Sequence, residues 1–132
     1  MSLVRPIVQD GVLSRATRAG DHIINPAILS IATDANRTLT VQDISGNAII
    51  FTGFTAGRTL TTDTAANILA ANPQMDIGDS ICLVISVIPA FAATYAAGTG
   101  VTLAGRATTP ASSYSMIYIT KTSATTVTWL VL

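Results

Sequence analysis

The chain has 132 residues, of which 49% are hydrophobic and 11% charged, and its seven basic and seven acidic side chains cancel to a net charge of zero. Soluble domains typically carry about 25% charged residues, so little electrostatic repulsion keeps copies of this chain apart. Nucleic acid is not an expected partner, because its recognition relies on clustered cations. The length predicts one domain, and a single cysteine excludes a disulfide framework.

Residues 1–25 differ from the rest of the chain and predict an extended N-terminal arm. Short aliphatic pieces alternate there with Pro6, Gly11 and Gly20. A solvated tail would not usually carry so many aliphatic residues. We therefore expect the arm to lie along a neighbouring surface, with a frayed terminus as the alternative. The candidate contact residues are Leu3, Val4, Arg5, Ile7, Val8, Val12, Leu13, Arg15 and Arg18. Removing the arm is expected to leave the body folded.

Residues 26–132 form the predicted body, which begins with short strands. Residues 27–33 are compatible with a first strand or a short turn. Residues 38–44 alternate between apolar and polar side chains, which predicts a half-buried strand. A turn at residues 45–47 then favours a hairpin with a partner strand over residues 48–51.

A short helix is predicted over residues 65–71. Asp63 or Thr64 can cap its free N–H groups, alanine is the strongest helix former, and Pro73 ends the segment. Ile68 and Leu69 are expected to face the sheet. Because it is only two turns long, packing has to stabilise it.

The longest apolar run, residues 81–88, predicts a central strand that is buried on both faces. Its outer residues need cover from the helix or from a second copy of the chain. Cys82 lies within this run, and we expect it to act as a small core hydrophobe. The glycine-rich passage 98–105 is expected to form a turn and the returning strand.

Two further strands are predicted at the C-terminal end, over residues 113–120 and 125–132, with a turn between them. Trp129 is expected on a buried face of the last strand, together with Val127 and Val131. Tyr114, Met116 and Tyr118 share one face of the preceding strand, where core or interface roles are favoured over a sugar site. These elements predict an all-β fold class: a β-sandwich or jelly roll with one short helix and the extended N-terminal arm.

Reactive groups are sparse. The block Gly78-Asp79-Ser80-Ile81 resembles the Gly-Asp-Ser-Leu block of a family of small serine hydrolases. A nucleophilic serine needs a base within hydrogen-bond reach, yet His22 in the arm is the only histidine. One histidine and one cysteine cannot build a zinc site, and Asp76 with Asp79 supplies too few oxygens for calcium. We therefore expect no enzyme activity, no metal and no cofactor.

A membrane partner is not expected either. Residues 80–105 carry no charge and are long enough to span a bilayer. Pro89, several hydroxyl residues and three glycines interrupt that stretch, and no basic cluster flanks it.

The order of motifs along the body resembles small structural proteins of tailed bacteriophages, including capsid decoration, or cement, proteins. The matching features are a capped Ala-Asn-Ile-Leu helix, then Asp-Ile-Gly-Asp-Ser before an apolar strand, then Ala-Gly-Thr-Gly-Val-Thr-Leu-Ala-Gly and a threonine-rich last strand. They cover about residues 36–132.

This resemblance implies a body that associates as homodimers or homotrimers on the outer capsid surface of the virion. The second partner would be the major capsid protein, with terminal arms crossing the joints between its subunits. The protein would be made in the host bacterial cytoplasm. The alternative function is a receptor- or glycan-binding domain of a phage fibre.

Overall fold

The computed structural model describes residues 28–132, which are mostly β-strand with one short helix. The boundary between arm and body, and every candidate contact residue of the arm, lie outside this range. The strands are β1 (Ile28–Ile31), β2 (Arg37–Leu39), β3 (Ala48–Phe51), β4 (Arg58–Thr62), β5 (Ser80–Val87), β6 (Ala93–Ala96), β7 (Val101–Gly105), β8 (Thr108–Thr109), β9 (Ser113–Lys121) and β10 (Val127–Val131). Helix α1 spans Ala65–Ala71, and a 3-10 helix spans Asp43–Ser45.

The strands form two sheets. Six strands lie in the order β1-β3-β5-β9-β10-β7, and four lie in the order β2-β4-β6-β8. Both sheets are mixed, since parallel and antiparallel pairs occur in each. The all-β fold class is confirmed at this level.

The first six strands wind around a common core. The chain passes from one sheet to the other at every step, and each strand is parallel to the strand one turn earlier. Ile28 pairs with Ala48, twenty residues later, and Arg37 pairs with Leu60, twenty-three residues later. Each turn therefore adds one strand to both sheets.

The last strands complete the six-stranded sheet without continuing this parallel winding. β9 pairs antiparallel with both β5 and β10, and β10 also pairs in parallel with β7. The two strands and the turn predicted at the C-terminal end are confirmed, and the strands pair as a hairpin with Trp129 opposite Ile119. Trp129 and Val127 are fully buried and Val131 is nearly so, as expected from their shared face.

One hydrophobic core joins the two sheets. The inward side chains of β5, Leu83, Ile85 and Val87, are fully buried in it. Phe51 stacks on Phe54 with ring centroids 5.0 Å apart. Burial of large aliphatic and aromatic side chains is the main contribution to the stability of such a core.

Helix α1 has the predicted bounds and the predicted cap. The Thr64 hydroxyl accepts a hydrogen bond from the Asn67 N–H at 3.2 Å, while Asp63 accepts from the Thr64 and Val41 N–H groups. Ile68 is fully buried in the shared core. Seven residues are far fewer than the ~20 that cross a bilayer. Within residues 28–132 no helix has the length and apolar character for a membrane span.

The predicted hairpin between residues 38–44 and 48–51 is wrong. Strand β2 ends at Leu39, and the 3-10 helix carries the chain across to the other sheet. The Asp43 carboxylate stabilises this crossing, because it accepts hydrogen bonds from the Arg37 guanidinium at 3.0 Å and from the Thr40 N–H at 3.2 Å.

The glycine-rich passage also differs from the prediction. It connects β6 in one sheet to β7 in the other, and β7 pairs with β10 rather than returning along β5 or β6. Glycine is required at residue 98, where a Cβ atom would lie 2.5 Å from the Thr62 carbonyl oxygen. The close packing of two backbones, rather than a hairpin turn, explains this residue.

Candidate interaction surface

Within the single chain the central strand β5 is buried on one face only, so the predicted cover of its other face by helix α1 is wrong, while cover by a second copy of the chain stays a prediction. Leu83 and Ile85 face the core and are fully buried, but Cys82 is exposed. The expected core role of Cys82 is therefore also wrong. Helix α1 does not cover this side of the strand, since it inserts Ala65 and Ile68 into the core between the sheets.

The outward side chains of the six-stranded sheet form a continuous surface, which we call the outer face. The strand register places them in four rows of neighbours. The rows are Ser30, Ile50, Ser86 and Tyr114; Ile28, Ala48, Val84 and Met116; Cys82, Tyr118, Leu130 and Ala104; and Ser80, Thr120, Thr128 and Thr102. Two rows are largely apolar, the row that begins with Ser30 alternates serine with Ile50 and Tyr114, and the fourth consists of hydroxyl residues.

None of these side chains is charged. The charged residues between 28 and 132 lie in the loops, in the four-stranded sheet or at the end of β9. Two of the arginines are neutralised: Arg37 pairs with Asp43 at 3.0 Å, and Arg58 pairs with Asp34 at 2.8 Å. The outer face thus presents neither charge repulsion nor charge attraction to an approaching surface.

Large apolar side chains are exposed on the outer face. Tyr114 is 64% exposed, Ile28 58% and Met116 37%. Four strands at ~4.8 Å and four rows at ~6.7 Å give an area of about 500 Å² in projection. The largest exposed apolar patch on a typical monomer measures about 300–600 Å² and is often functional. A standard interface buries about 800 Å² per partner, so this face is smaller than a standard interface.

Ser80, the serine of the hydrolase-like block, is the first residue of β5. Its hydroxyl lies 2.6 Å from the hydroxyl of Thr120 in the polar row. The preceding turn is closed by Asp79, whose carboxylate accepts from the Asp76 N–H at 2.9 Å. The geometry around Ser80 is that of a turn leading into a strand. Among the described residues no group of three or more histidine, cysteine or acidic side chains could hold a metal ion.

The inner side of the body contains one chain of hydroxyl groups. Tyr95 lies 2.5 Å from Thr109, whose hydroxyl donates to Ser115 at 3.0 Å. Burial raises the pKa of Tyr95 to about 12, against the smaller opposing effect of its bond to Thr109. This chain links β6, β8 and β9 inside the molecule, and it is not part of the outer face.

Comparisons of the chain with protein-family models, with curated proteins and with solved structures found no match. The function is therefore inferred from the outer face. Tyr114, Met116 and Tyr118 were predicted on one face, and the β5 side of that face was expected to be covered by the helix or by a second copy of the chain. Ser80 and Ser86 lie on the same face of β5 as Cys82 and Val84. These two polar residues were the available signal that this face meets solvent.

Proposed function

We propose that this chain is a virion structural protein, a capsid decoration or cement protein that binds the outer surface of a tailed-phage head across capsid subunit joints. The outer face carries the proposal, because it is a wide, uncharged and largely apolar surface. The major capsid protein is the proposed partner because the order of motifs along residues 36–132 resembles that of phage decoration proteins. In this proposal the body forms a homodimer or homotrimer, and this oligomer binds the major capsid protein.

The physical basis is mass action. A protein that binds the intact joint, and not the separated subunits, stabilises the joint by its differential affinity. A face of about 500 Å² gives a modest free energy per copy. Copies that are held in one oligomer bind with an effective concentration that multiplies this contribution.

The finer fold assignment, a β-sandwich or jelly roll, also belongs to this proposal. Two sheets that share one core support the sandwich. The parallel winding of β1 to β6 differs from the antiparallel Greek-key connections of a jelly roll, so the sandwich is favoured.

One observation favours the alternative function, a receptor- or glycan-binding domain of a phage fibre. Tyr114 is well exposed, and Tyr118 lies four residues further along the same face, beyond Met116. Aromatic side chains with a polar group are suited to amphipathic ligands such as sugars. Binding to a glycan array that is lost in Tyr114→Ala, with no binding to capsid shells, would favour this alternative.

The test of the cement proposal is co-sedimentation of the purified protein with undecorated phage shells. Met116→Asp places a charge on the outer face and is expected to abolish binding. Ile77→Asp is the matched control, since Ile77 is 65% exposed in the loop before β5 and lies off this face. Circular dichroism verifies that both variants are folded. Undiminished binding by folded Met116→Asp would refute the role of the outer face.

The same variants show whether copies of the chain associate through this face. Sedimentation velocity of the wild type without shells gives its oligomeric state. If Met116→Asp becomes monomeric while Ile77→Asp does not, the outer face joins copies of the chain. In that case shell binding belongs to another surface.

A further inference from the structure

The hydrophobic core is open at the start of β1. Leu29 faces inward, because its partner in the register is the fully buried Ile49. Yet Leu29 is 38% exposed. At the other end of the same strand Ile31 is only 6% exposed. The opening is therefore confined to the end of β1 that adjoins the N-terminal segment.

Apart from its short length of four residues, the edge of the six-stranded sheet at β1 lacks the usual protection. An edge strand is a template for pairing, and proteins protect it with charges, short length or a bulge. Of the other edges, β2 begins with Arg37, β8 has only two residues, and β7 ends in Gly105 at a φ of 80°. β1 consists of Ile-Leu-Ser-Ile and has a strand neighbour on one side only among the described residues.

The winding of the chain identifies what can cover this edge. One turn takes twenty residues between β1 and β3 and twenty-three between β2 and β4, and thirty-five or thirty-six in the two later turns, which contain helix α1. Twenty-seven residues precede Ile28, which is enough for one more turn. They include the aliphatic pairs Ile7-Val8 and Val12-Leu13, which match an opening lined by Leu29.

We propose that residues 1–27 cover the open edge of their own chain, adding one further turn beside β1 and β2 and burying Leu29. Attachment to the first residue of β1 keeps this segment at a high effective concentration at the opening. Backbone pairing with the edge supplies affinity, and the aliphatic side chains complete the core.

This inference goes beyond the proposed function and limits it. A segment that is bound along β1 cannot also reach across a capsid joint, so shell binding would rest on the outer face. It also reverses the expectation that the body is indifferent to removal of the arm.

Disulfide trapping in the full chain tests the inference, with Cys82→Ser as the background. Val8→Cys is combined with Leu29→Cys, or with Thr102→Cys at the opposite edge of the same sheet as the control. Parallel series use Ile7→Cys and Val12→Cys, because the register of the segment is not specified.

The expected result is an intramolecular disulfide to position 29 in at least one series, with a yield several-fold above that to position 102. Mass spectrometry and a non-reducing gel measure it. Equal yields at the two positions would overturn the inference. Disulfide-linked dimers through position 29 would also overturn it, since the edge would then be covered by a neighbouring copy.

Amide hydrogen exchange by NMR is an independent measurement on the unmodified protein. A strand that is paired on one side leaves alternate amides open to solvent, whereas a strand paired on both sides protects them all. We expect consecutive protected amides along β1. Alternating fast and slow exchange along β1 would show that the edge is bare. Neither experiment involves capsid shells, so their failure is distinct from failure of the cement proposal.

Discussion

Trp129 provides the most specific test of the core, because burial of its side chain stabilises the fold while its unpaired indole N–H destabilises it. The side chain is fully buried on β10, between Leu103 of β7 and Ile119 of β9 in the register. Its indole Nε1 has no hydrogen-bond partner among the described residues. Truncation of a buried tryptophan to alanine typically costs about 3–5 kcal/mol. A buried donor without a partner costs about 1–3 kcal/mol, and this cost disappears with the indole.

Trp129→Ala should therefore destabilise the protein by about 3 kcal/mol, at the lower end of the usual range. Trp129→Phe removes the same N–H but keeps an aromatic ring, so its cost should be within about 1 kcal/mol of zero. Total stabilities are about 5–15 kcal/mol, so the alanine variant loses a large fraction of the folded state's margin.

Urea unfolding followed by far-ultraviolet circular dichroism measures both variants, since tryptophan fluorescence is lost in each. An unchanged midpoint in Trp129→Ala would show that β10 is not placed as described. A phenylalanine variant as unstable as the alanine variant would show that Nε1 has a partner that contributes to stability.

Two further predictions concern the interior. The folded state holds the Tyr95 proton more tightly than the unfolded chain, because burial raises its pKa to about 12. The associated stability of about 2–3 kcal/mol is present below pH ~10 and is lost as the pH rises to ~12. Tyr95→Phe should remove this loss from the urea midpoint measured against pH, and identical pH profiles would contradict it. Gly105 has a φ of 80°, and a Cβ atom would collide with the Val131 carbonyl oxygen, whereas Gly78, at a φ of 97°, has open space around it. Gly105→Ala should therefore cost clearly more than the about 1–2 kcal/mol expected for Gly78→Ala in thermal unfolding, and equal costs would show that the contact with Val131 is absent.

The outer face affects how copies of the purified protein interact. An apolar surface without charge invites association between copies, and the net charge of zero does not oppose it. The exposed thiol of Cys82 lies on this face. Reducing conditions are therefore needed in the binding and sedimentation measurements, so that a disulfide between copies is not mistaken for association through the face.

Local signals in the sequence were sufficient for several elements. Helix α1 follows from its alanines and its Thr64 cap, which act within one turn of the chain. The β9–β10 hairpin follows from two alternating strands and a short polar turn. In each case the interacting residues are neighbours in the sequence, so the pattern specifies the contact.

Partner choice between distant strands was decided only by the tertiary structure. The alternation of residues 38–44 shows that one side is buried, but it is silent on which strand lies beside it. Pairing of β3 with β1 and β5 follows from the winding of the whole chain. The exposure of Cys82 was equally out of reach, because an apolar residue is covered only if another element packs over it. The amino-acid sequence by itself determined helix α1 and strands such as β3, β5, β9 and β10, since their patterns depend on near neighbours, whereas β4, β6 and β8 were not predicted from it. The fold alone decided which apolar face is the core and which meets solvent, since that depends on residues far apart in the chain.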